Sequence, residues 1–224
     1  IESNGAPLST LFQTCNRMRA LGPHIRVVAL KHTRVPICMI TDTRSGAHCD
    51  VSFNNMNGVY NSHLVRDYTA YDPRVKPFLL LVRRWCKNAF VAGSKFGRLS
   101  PYACTLLGLF FLQAGTSDPL VPVCTSDTLL GAARGLLSND IELIRLAEGY
   151  EYVRIKSWAS RSTKTVEELF HEFLVFYGYQ VDFGTSVIDT KSATVYRKSD
   201  LLPGHGREEA MVVIDPFQQD FNAT

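Results

Sequence analysis

One carboxylate lies in a run of alternating apolar and polar residues, Cys49-Asp50-Val51-Ser52-Phe53. The alternation predicts a β-strand that directs Asp50 and Ser52 to one face and the apolar side chains to the other. Because an ionised carboxylate in a cleft is costly unless a cation accompanies it, an aspartate on a sheet face is a candidate metal ligand. Taken alone, the run favours the simpler interpretation of a half-exposed edge strand with a solvated aspartate.

Polar side chains that suit nucleotide recognition follow this run, namely Asn54, Asn55, Asn61 and Ser62. Side-chain amides can hydrogen-bond ribose hydroxyls and base edges in a cleft. Asparagine is also common in turns and helix caps, so a purely structural role is the alternative. The segment alone leaves both interpretations open.

A basic pair comes next along the chain, in the run Arg83-Arg84-Trp85-Cys86-Lys87. Arg83 and Lys87 are four residues apart and therefore share one face of a predicted helix. Two cations on one face repel each other unless an anion lies between them, and a triphosphate would meet that need. The alternative is a solvated basic face with Trp85 in the core.

The sequence Ser100-Pro101-Tyr102 places a hydroxyl and free backbone N–H groups at the start of another predicted helix. Such a helix N-terminus can bind an anion. Tyr102, in the first turn, can stack on a base. A capped helix with a core tyrosine explains the same residues equally well.

The elements that would position the first of these residues follow from periodicity and turn signals. Residues 8–21 have apolar side chains at helical spacing before the stop at Gly22-Pro23. Strand-like runs follow at 24–33, 35–42 and 48–54, joined by turns that suit antiparallel neighbours. The first part of the chain is therefore predicted to be a helix beside a small sheet.

Longer helices dominate the rest of the chain. Asp72-Pro73 and Ser100-Pro101 each have the pattern of an N-cap and a first helical residue, and Thr165 and Glu168 have capping-box spacing. Residues 116–136, rich in Pro, Ser and Gly, are predicted to be a connection. The predicted helices occupy 75–89, 102–114, 139–150 and 169–179, and strand-like segments return at 187–198 and 208–215. The sequence thus predicts an α+β fold: part of a sheet, a helical body and a small terminal β element.

The composition sets limits on the class of protein. A chain of 224 residues with 46% hydrophobic and 20% charged residues can bury a sizeable core and is typical of a globular protein. The formal net charge of +3 permits an anionic partner without requiring one. No apolar run is long enough to cross a membrane, so no membrane partner is expected. None of the six cysteines forms a Cys-x-x-Cys pair, and we expect reduced thiols in an intracellular, reducing compartment.

Six stretches in a fixed order resemble the terminal uridylyltransferases and noncanonical poly(A) polymerases of the DNA polymerase β-like nucleotidyltransferase superfamily. They are RVPICMITD, CDVSFNNMNGVYNS, DPRVKPFLLLVRRWCK, FGRLSPYACTLLGLFFL, VEELFHEFLVFYGY and VVIDPFQQDFN. The resemblance is faint over residues 116–160. It implies that residues 1–55 are the remainder of a nucleotidyltransferase palm domain. It also implies that residues 56–224 form a helical domain with the region that recognises the nucleotide base.

The resemblance further implies a reaction, the template-independent transfer of UMP from UTP to the 3′-hydroxyl of RNA. In this family, three carboxylates of the palm sheet hold two Mg²⁺ (or Mn²⁺) ions. Asp50 matches the third carboxylate, which is a catalytic and metal-binding residue. The positions that match or adjoin the family's nucleotide-binding residues are Asn55, Asn61, Ser62, Arg83, Lys87, Ser100, Tyr102, Asp215 and Gln218. Among them, the basic pair would hold the triphosphate, Tyr102 would stack on the base, and Asp215 would take part in base recognition.

Two departures from the family pattern affect these expectations. The Gly-Ser turn and the Asp-x-Asp pair that carry the other two carboxylates do not occur in the 224 residues and would precede Ile1. We therefore expect this chain alone to be inactive. Gln218 replaces an acidic residue, and Phe221 stands where some uridine-adding members carry His. The choice between UTP and ATP consequently stays open, because base choice depends on a few donors and acceptors.

Several functions remain compatible with the sequence. A poly(A) polymerase that uses ATP is the close alternative to the uridylyltransferase. A catalytically dead RNA-binding scaffold of the same fold would lack the Asp-x-Asp pair altogether, and a helical protein-interaction domain would leave the ordered motifs unexplained. The expected partners are a nucleoside triphosphate, with UTP favoured, the 3′ end of RNA and an RNA-processing complex. The resemblance does not separate a mitochondrial from a cytoplasmic location.

Overall fold

The computed structural model describes residues 8–33, 35–93, 98–135, 139–201, 209–217 and 223. The contacts within the chain divide it into two compact units, Ile1–Ser62 and His63–Thr224. These units are defined by how the chain packs and not by what its parts do. A boundary between functional domains after residue 55 therefore stays a prediction.

The first unit is a helix packed on one face of a three-stranded sheet. Helix α1 (Leu8–Arg19) precedes strands β1 (Ile25–Leu30), β2 (Ile37–Asp42) and β3 (His48–Ser52), which pair antiparallel in the order β1-β2-β3. The apolar side chains of α1 and of one sheet face form a small core of Leu11, Cys15, Val27, Ala29, Cys38, Ile40, Val51 and Phe53. The predicted helix and antiparallel strands are thus confirmed.

Helix α2 (Met56–Tyr71) follows the sheet and was not predicted from the sequence. Its buried stripe consists of Tyr60, Leu64 and Tyr68, each 2% exposed and spaced four residues apart. Residues at this spacing lie on one helix face, so burial of the stripe explains why the segment is helical. The many polar residues between them obscure the pattern in the sequence.

Four helices form the body of the second unit: α3 (Val75–Asn88), α4 (Pro101–Phe110), α5 (Asp127–Gly135) and α6 (Val166–Val175). The core joins α3 to α6 through Phe173, whose ring lies edge-on to Phe78 with 5.9 Å between the centroids. Helices α3 and α4 approach closely at Gly108, where a Cβ atom would lie 2.7 Å from Cδ2 of Leu79. None of the helices in the described ranges has the length and apolar character needed to span a membrane.

Two of the predicted helix caps are present. The Ser100 hydroxyl caps α4 by accepting a hydrogen bond from the N–H of Ala103 at 3.0 Å. Helix α6 begins with a complete capping box, in which Thr165 and Glu168 each bond the backbone N–H of the other. Each cap satisfies donors that the first helical turn would otherwise leave unpaired.

The predicted cap of α3 by Asp72 is wrong. The helix begins later, at Val75, and its N-terminal flanking residue Arg74 provides no side-chain cap. The Asp72 carboxylate instead accepts hydrogen bonds from the backbone N–H and the guanidinium of Arg74, at 2.7–2.9 Å. A cationic side chain two residues away competes successfully for the carboxylate because charge-assisted hydrogen bonds are stronger than neutral ones.

Residues 139–150 belong to a β-hairpin, and the helix predicted there is wrong. Strands β4 (Ile141–Arg145) and β5 (Glu151–Ile155) pair antiparallel. Between them Glu148 and Gly149 have positive φ angles of 59° and 79°, which end any right-handed helix. The connection predicted at residues 116–136 also needs correction, because it contains α5.

A small sheet near the end of the chain completes the second unit. Strands β6 (Ser186–Asp189), β7 (Thr194–Arg197) and β8 (Val212–Ile214) form it in the order β7-β6-β8. Strand β6 pairs antiparallel with β7 and parallel with β8. The predicted terminal β element and the α+β fold class are confirmed.

Candidate active site

Asp50 lies in the middle of β3, on the sheet face that points away from α1. Its pairing partner on the adjacent strand β2 is Met39, which in turn pairs with Val28 of β1. The side chains alternate between the two faces as predicted. Asp50 and Ser52 are exposed, and Val51 packs in the core beneath α1. The carboxylate is therefore presented on an open surface, with apolar side chains beside it.

The donors around Asp50 do not by themselves fit a two-metal centre. In the part of the chain that the structure describes, no three His, Cys, Asp or Glu side chains come together to hold a metal ion. Mg²⁺ takes about six oxygen ligands, of which one carboxylate can supply at most two. The metal-binding role of Asp50 stays a prediction.

The predicted sugar-binding and base-binding residues of the first unit lie at the start of α2 and along it. The side chain of Asn55 covers the first turn, with its Nδ2 atom 3.2 Å from the place that a Cβ atom on Gly58 would occupy. The Ser62 hydroxyl donates to the carbonyl of Gly58 at 2.6 Å, so its proton is used within the helix. Asn55 and Asn61 are half-buried. Their nucleotide-binding roles stay predictions.

The basic pair of the second unit lies on the exposed side of α3. Arg83 and Lys87 are both exposed, and among the described residues neither forms an ion pair. Trp85 is half-buried and packs edge-on against Phe170 and Phe173, with 6.3 Å between centroids in each case. The helix thus presents two uncompensated cations to solvent, as a triphosphate site requires.

The hydroxyl of Ser100 is occupied by two backbone partners. Besides accepting from Ala103, it donates to the carbonyl oxygen of Ala223 at 2.8 Å. A phosphate oxygen would need the same proton, because phosphate is a hydrogen-bond acceptor. The hydroxyl can bind phosphate only by releasing Ala223.

Tyr102 and Asp215 lie side by side although they are far apart in the chain. Tyr102 is in the first turn of α4, and Asp215, which is 3% exposed, directly follows β8. Burial, together with the negative charge of the nearby Asp215, raises the pKa of the Tyr102 phenol, whose oxygen has no hydrogen-bond partner among the described residues. The phenol is therefore protonated at neutral pH. Gln218, predicted to recognise the base with Asp215, lies outside the described residues.

Comparisons with known proteins agree with the resemblance seen in the sequence. Residues 3–70 match the family model of the central palm domain of "Poly(A) RNA polymerase, mitochondrial-like" proteins. Poly(A) RNA polymerase cid11 of Schizosaccharomyces pombe is 26% identical over 86% of this chain and 38% of its own length. Terminal uridylyltransferase cid1 of the same organism is 28% identical over 68% of this chain and 37% of its own. A crystal structure of the Cid1 poly(U) polymerase superposes with a TM-score of 0.78 at 24% identity, covering 100% of this chain and 66% of that one.

The chain is related to the noncanonical poly(A) polymerases and terminal uridylyltransferases. It spans well under half the length of these curated relatives. The fold of this nucleotidyltransferase-like chain is that of the solved Cid1 structures.

The second unit also contains a polar cluster that was not predicted from the sequence. The carboxylate of Asp67, on α2, accepts hydrogen bonds from the Tyr152 hydroxyl at 2.7 Å and from the Arg154 guanidinium at 2.6 Å. Both donors belong to β5, so the cluster fastens the β4–β5 hairpin to α2. The sequence contains only part of the signal for this cluster. Asp67 lies on the same buried helix face as Leu64 and Tyr68, where an acidic side chain needs a partner.

The hairpin in turn contacts the segment that follows β8. The Phe217 ring packs edge-on against Tyr150 and Tyr152, with centroid separations of 5.8 and 6.2 Å. The backbone N–H of Phe217 donates to Oδ1 of Asp215 at 2.8 Å. A continuous set of contacts therefore runs from Asp67 through Tyr152 and Phe217 to Asp215 and the neighbouring Tyr102.

Proposed function

We propose that this chain is part of the catalytic module of an RNA nucleotidyltransferase that adds UMP from UTP to the 3′-hydroxyl of RNA without a template. The observation that carries the proposal is the position of Asp50, exposed on the open face of a sheet within a segment that matches a polymerase palm domain. The relatives, which include both poly(A) polymerases and terminal uridylyltransferases, support RNA nucleotidyl transfer as the general reaction.

Binding of the triphosphate is assigned to Arg83 and Lys87. They are exposed, of like charge and one turn apart on α3. A triphosphate neutralises both cations at once and gains charge-assisted hydrogen bonds from each. The amides of Asn55 and Asn61, with Ser62, are assigned to the sugar and base, because amides can donate and accept at the same time.

Asp50 is assigned to the binding of Mg²⁺ or Mn²⁺. Hard divalent cations prefer carboxylate and phosphate oxygens. When bound, such ions stabilise the charge that develops on the phosphates during transfer. Asp50 supplies one carboxylate to them, and other carboxylates and the triphosphate would supply the remaining oxygens.

Base recognition is assigned to Tyr102, Asp215 and Gln218. The Tyr102 ring would stack on the base, while the two polar side chains would distinguish uracil from adenine. The close alternative is a poly(A) polymerase that uses ATP, which stays open because Gln218 replaces an acidic residue and Phe221 stands where some uridine-adding members carry histidine. An extension assay with each of the four nucleotides in turn, on a short RNA primer with Mg²⁺, separates the two.

We further propose an intracellular, reducing setting, either cytoplasmic or mitochondrial, and association with an RNA-processing complex. All six cysteines are free thiols, and five of them are buried. Buried thiols persist where disulfides are not formed. Fractionation of cells with an antibody to the protein, followed by identification of co-purifying proteins, tests both parts of the proposal.

The central test is the substitution Asp50→Asn in the complete protein. It removes the charge while keeping the shape, so extension of an RNA primer should be abolished and binding of UTP should remain largely intact. The matched control is Asp118→Asn, which changes an exposed aspartate of the second unit and should leave extension unchanged.

Near wild-type extension by the Asp50→Asn protein would remove Asp50 from the reaction. A wild-type protein that binds RNA but extends it with no nucleotide would instead favour the catalytically dead scaffold. That alternative gains support from the single carboxylate that the described residues bring to the sheet face.

A further inference from the structure

The segment from 73 to 117 has a pronounced charge bias. It contains no Asp or Glu, and its basic residues are Arg74, Lys76, Arg83, Arg84, Lys87, Lys95 and Arg98. Arg74 is paired with Asp72. In the described ranges, the four basic residues of α3 are exposed and form no ion pair. The exposed side of α3 therefore attracts anions.

An exposed aromatic ring stands directly after this helix. Phe90 is 72% exposed, whereas most phenylalanines of the second unit lie in its core. Its backbone has a φ angle of 57°, in the left-handed region that phenylalanine rarely adopts. A bulky residue held in such a conformation is a reason to look for a function.

Backbone hydrogen bonds hold Phe90 in this position. Its N–H donates to the carbonyl of Lys87 at 3.3 Å, and the N–H groups of Val91 and Ala92 both donate to the carbonyl of Cys86, at 2.8 and 2.9 Å. The N–H of Leu99 donates back to the carbonyl of Val91 at 3.1 Å. The ring is therefore presented from a fixed turn.

A cation accompanies the ring. The guanidinium carbon of Arg98 lies 5.6 Å from the centroid of Phe90, over the ring face, which is the geometry of a cation–π contact. Proteins that bind single-stranded nucleic acid combine such features: an aromatic face for a base and nearby cations for the phosphates. An apolar protein partner would instead meet a patch whose neighbouring side chains are cationic.

We propose that Phe90 and Arg98 form a stacking platform for a base of single-stranded RNA, separate from the residues assigned to the nucleoside triphosphate. The base stacks on the face of the Phe90 ring away from Arg98, and the guanidinium over the other face supplies a cation for the adjoining phosphate. The inference rests on the proposed function, since it takes RNA as the polymer that is bound. It adds a site for the RNA chain beyond the residues assigned to the incoming nucleotide.

The test is a binding measurement with two probes on the complete protein. One is a fluorescent fifteen-nucleotide oligouridylate, and the other is an abasic oligomer with the same number of phosphates. Phe90→Asn removes the ring but suits a left-handed backbone, so the turn should be retained. We expect this variant to bind the oligouridylate about fivefold or more weakly, and to bind the abasic oligomer as the wild type does. Phe90→Trp should restore oligouridylate binding.

Two controls sharpen the result. Arg98→Gln should weaken binding of both probes and flatten the dependence of affinity on salt, since a phosphate contact is lost. Tyr179→Ala removes another exposed aromatic, 88% exposed, from outside the acid-free segment and should change neither affinity. Unchanged oligouridylate binding by Phe90→Asn, or an equal loss for both probes, would overturn the platform and leave a protein partner as the explanation of the exposed ring. The proposed function is judged separately, by whether the wild-type protein extends RNA.

Discussion

At the scale of single residues, the candidate site contains groups whose local bonds limit what they can do. The Tyr102 phenol, whose pKa is raised by burial and by the charge of Asp215, keeps its proton at neutral pH and lies near that buried carboxylate. The Ser100 hydroxyl is committed to Ala103 and Ala223. Arg83, by contrast, is exposed and free to meet a ligand in the described part of the chain. These differences separate side chains that shape the site from those that can bind a substrate.

Replacement of Tyr102 tests whether its ring contacts the nucleotide. Tyr102→Ala should weaken binding of UTP by about 1–3 kcal/mol if the ring stacks on the base. Tyr102→Phe keeps the ring and removes only the hydroxyl beside Asp215, so most of the affinity should remain. Isothermal titration of each variant measures both effects. Unchanged affinity of Tyr102→Ala for UTP would show that the ring serves only in packing against the core.

Replacement of Ser100 separates capping from phosphate binding. Ser100→Ala removes the cap of α4 and should lower the free energy of unfolding by about 1 kcal/mol. If the hydroxyl acts only as a cap, the KM for UTP will not change in the protein that remains folded. A raised KM in Ser100→Ala would show that phosphate displaces Ala223 from the hydroxyl. Ser100→Thr, which can still cap, serves as the control for stability.

At the scale of elements, the β4–β5 hairpin connects α2 to the segment after β8. Asp67 and Tyr152 join the hairpin to α2, and Phe217 packs against the hairpin's two tyrosines. The resemblance seen in the sequence is faint over residues 116–160, so the hairpin is the element whose contribution was hardest to foresee. Through Phe217, the hairpin supports the segment to which the proposed function assigns base recognition.

The strength of this support should depend on pH through Asp67. Burial alone would raise its pKa, but hydrogen bonds from Tyr152 and Arg154 outweigh burial and lower the pKa below the ordinary value of 3.8. The ionised carboxylate therefore stabilises the fold fully above that value, and the contribution is lost as the pH falls through the lower pKa of the folded state. Asp67→Asn should cost about 1–3 kcal/mol at neutral pH, and the difference from wild type should narrow below about pH 4.

Chemical denaturation at several pH values measures this dependence. Tyr152→Phe is the matched control, because it removes one hydrogen bond to Asp67 and leaves both the ring contact with Phe217 and the carboxylate charge in place. A difference in the free energy of unfolding between wild type and Asp67→Asn that stayed constant down to about pH 2 would rule out the ionised carboxylate as its cause. A change in the UTP to ATP preference of either folded variant would link the hairpin to base choice.

At the scale of the whole molecule, the chain provides two compact units with different chemical resources. The first contributes Asp50 on an open sheet face, and the second contributes cations on α3 together with the Tyr102–Asp215 pair. The sequence of 224 residues contains no Asp-x-Asp pair. Among the described strands of this sheet, Asp50 is the one carboxylate on the face that points away from α1. Two divalent cations close together repel each other strongly without further anionic ligands.

The isolated 224-residue chain should therefore not extend RNA. Incubation of the purified chain with a labelled primer, UTP and Mg²⁺ should yield no longer product, whereas the complete protein should produce one. The isolated chain should still bind RNA through its basic surface, with an affinity that falls as salt rises. Robust extension by the chain alone would show that the active site has been misplaced.

The sequence by itself determined those features that depend on residues close together along the chain. The alternation around Asp50, the caps at Ser100 and Thr165 and the four-residue spacing of Arg83 and Lys87 are local patterns, and the structure contains the corresponding strand and helices. The helix predicted at 139–150 is wrong because apolar spacing there suits both periods, and only pairing with β5 selects the strand.

Only the tertiary structure decided which distant groups meet. The bond between Asp67 and Tyr152, the proximity of Tyr102 to Asp215 and the tie from Ser100 to Ala223 each join segments that no local pattern relates. Burial raises the value of such contacts, since a polar group removed from water must find a partner within the protein. Phe90 also depends on the tertiary structure, because its exposure and its left-handed backbone cannot be read from its neighbours in the sequence.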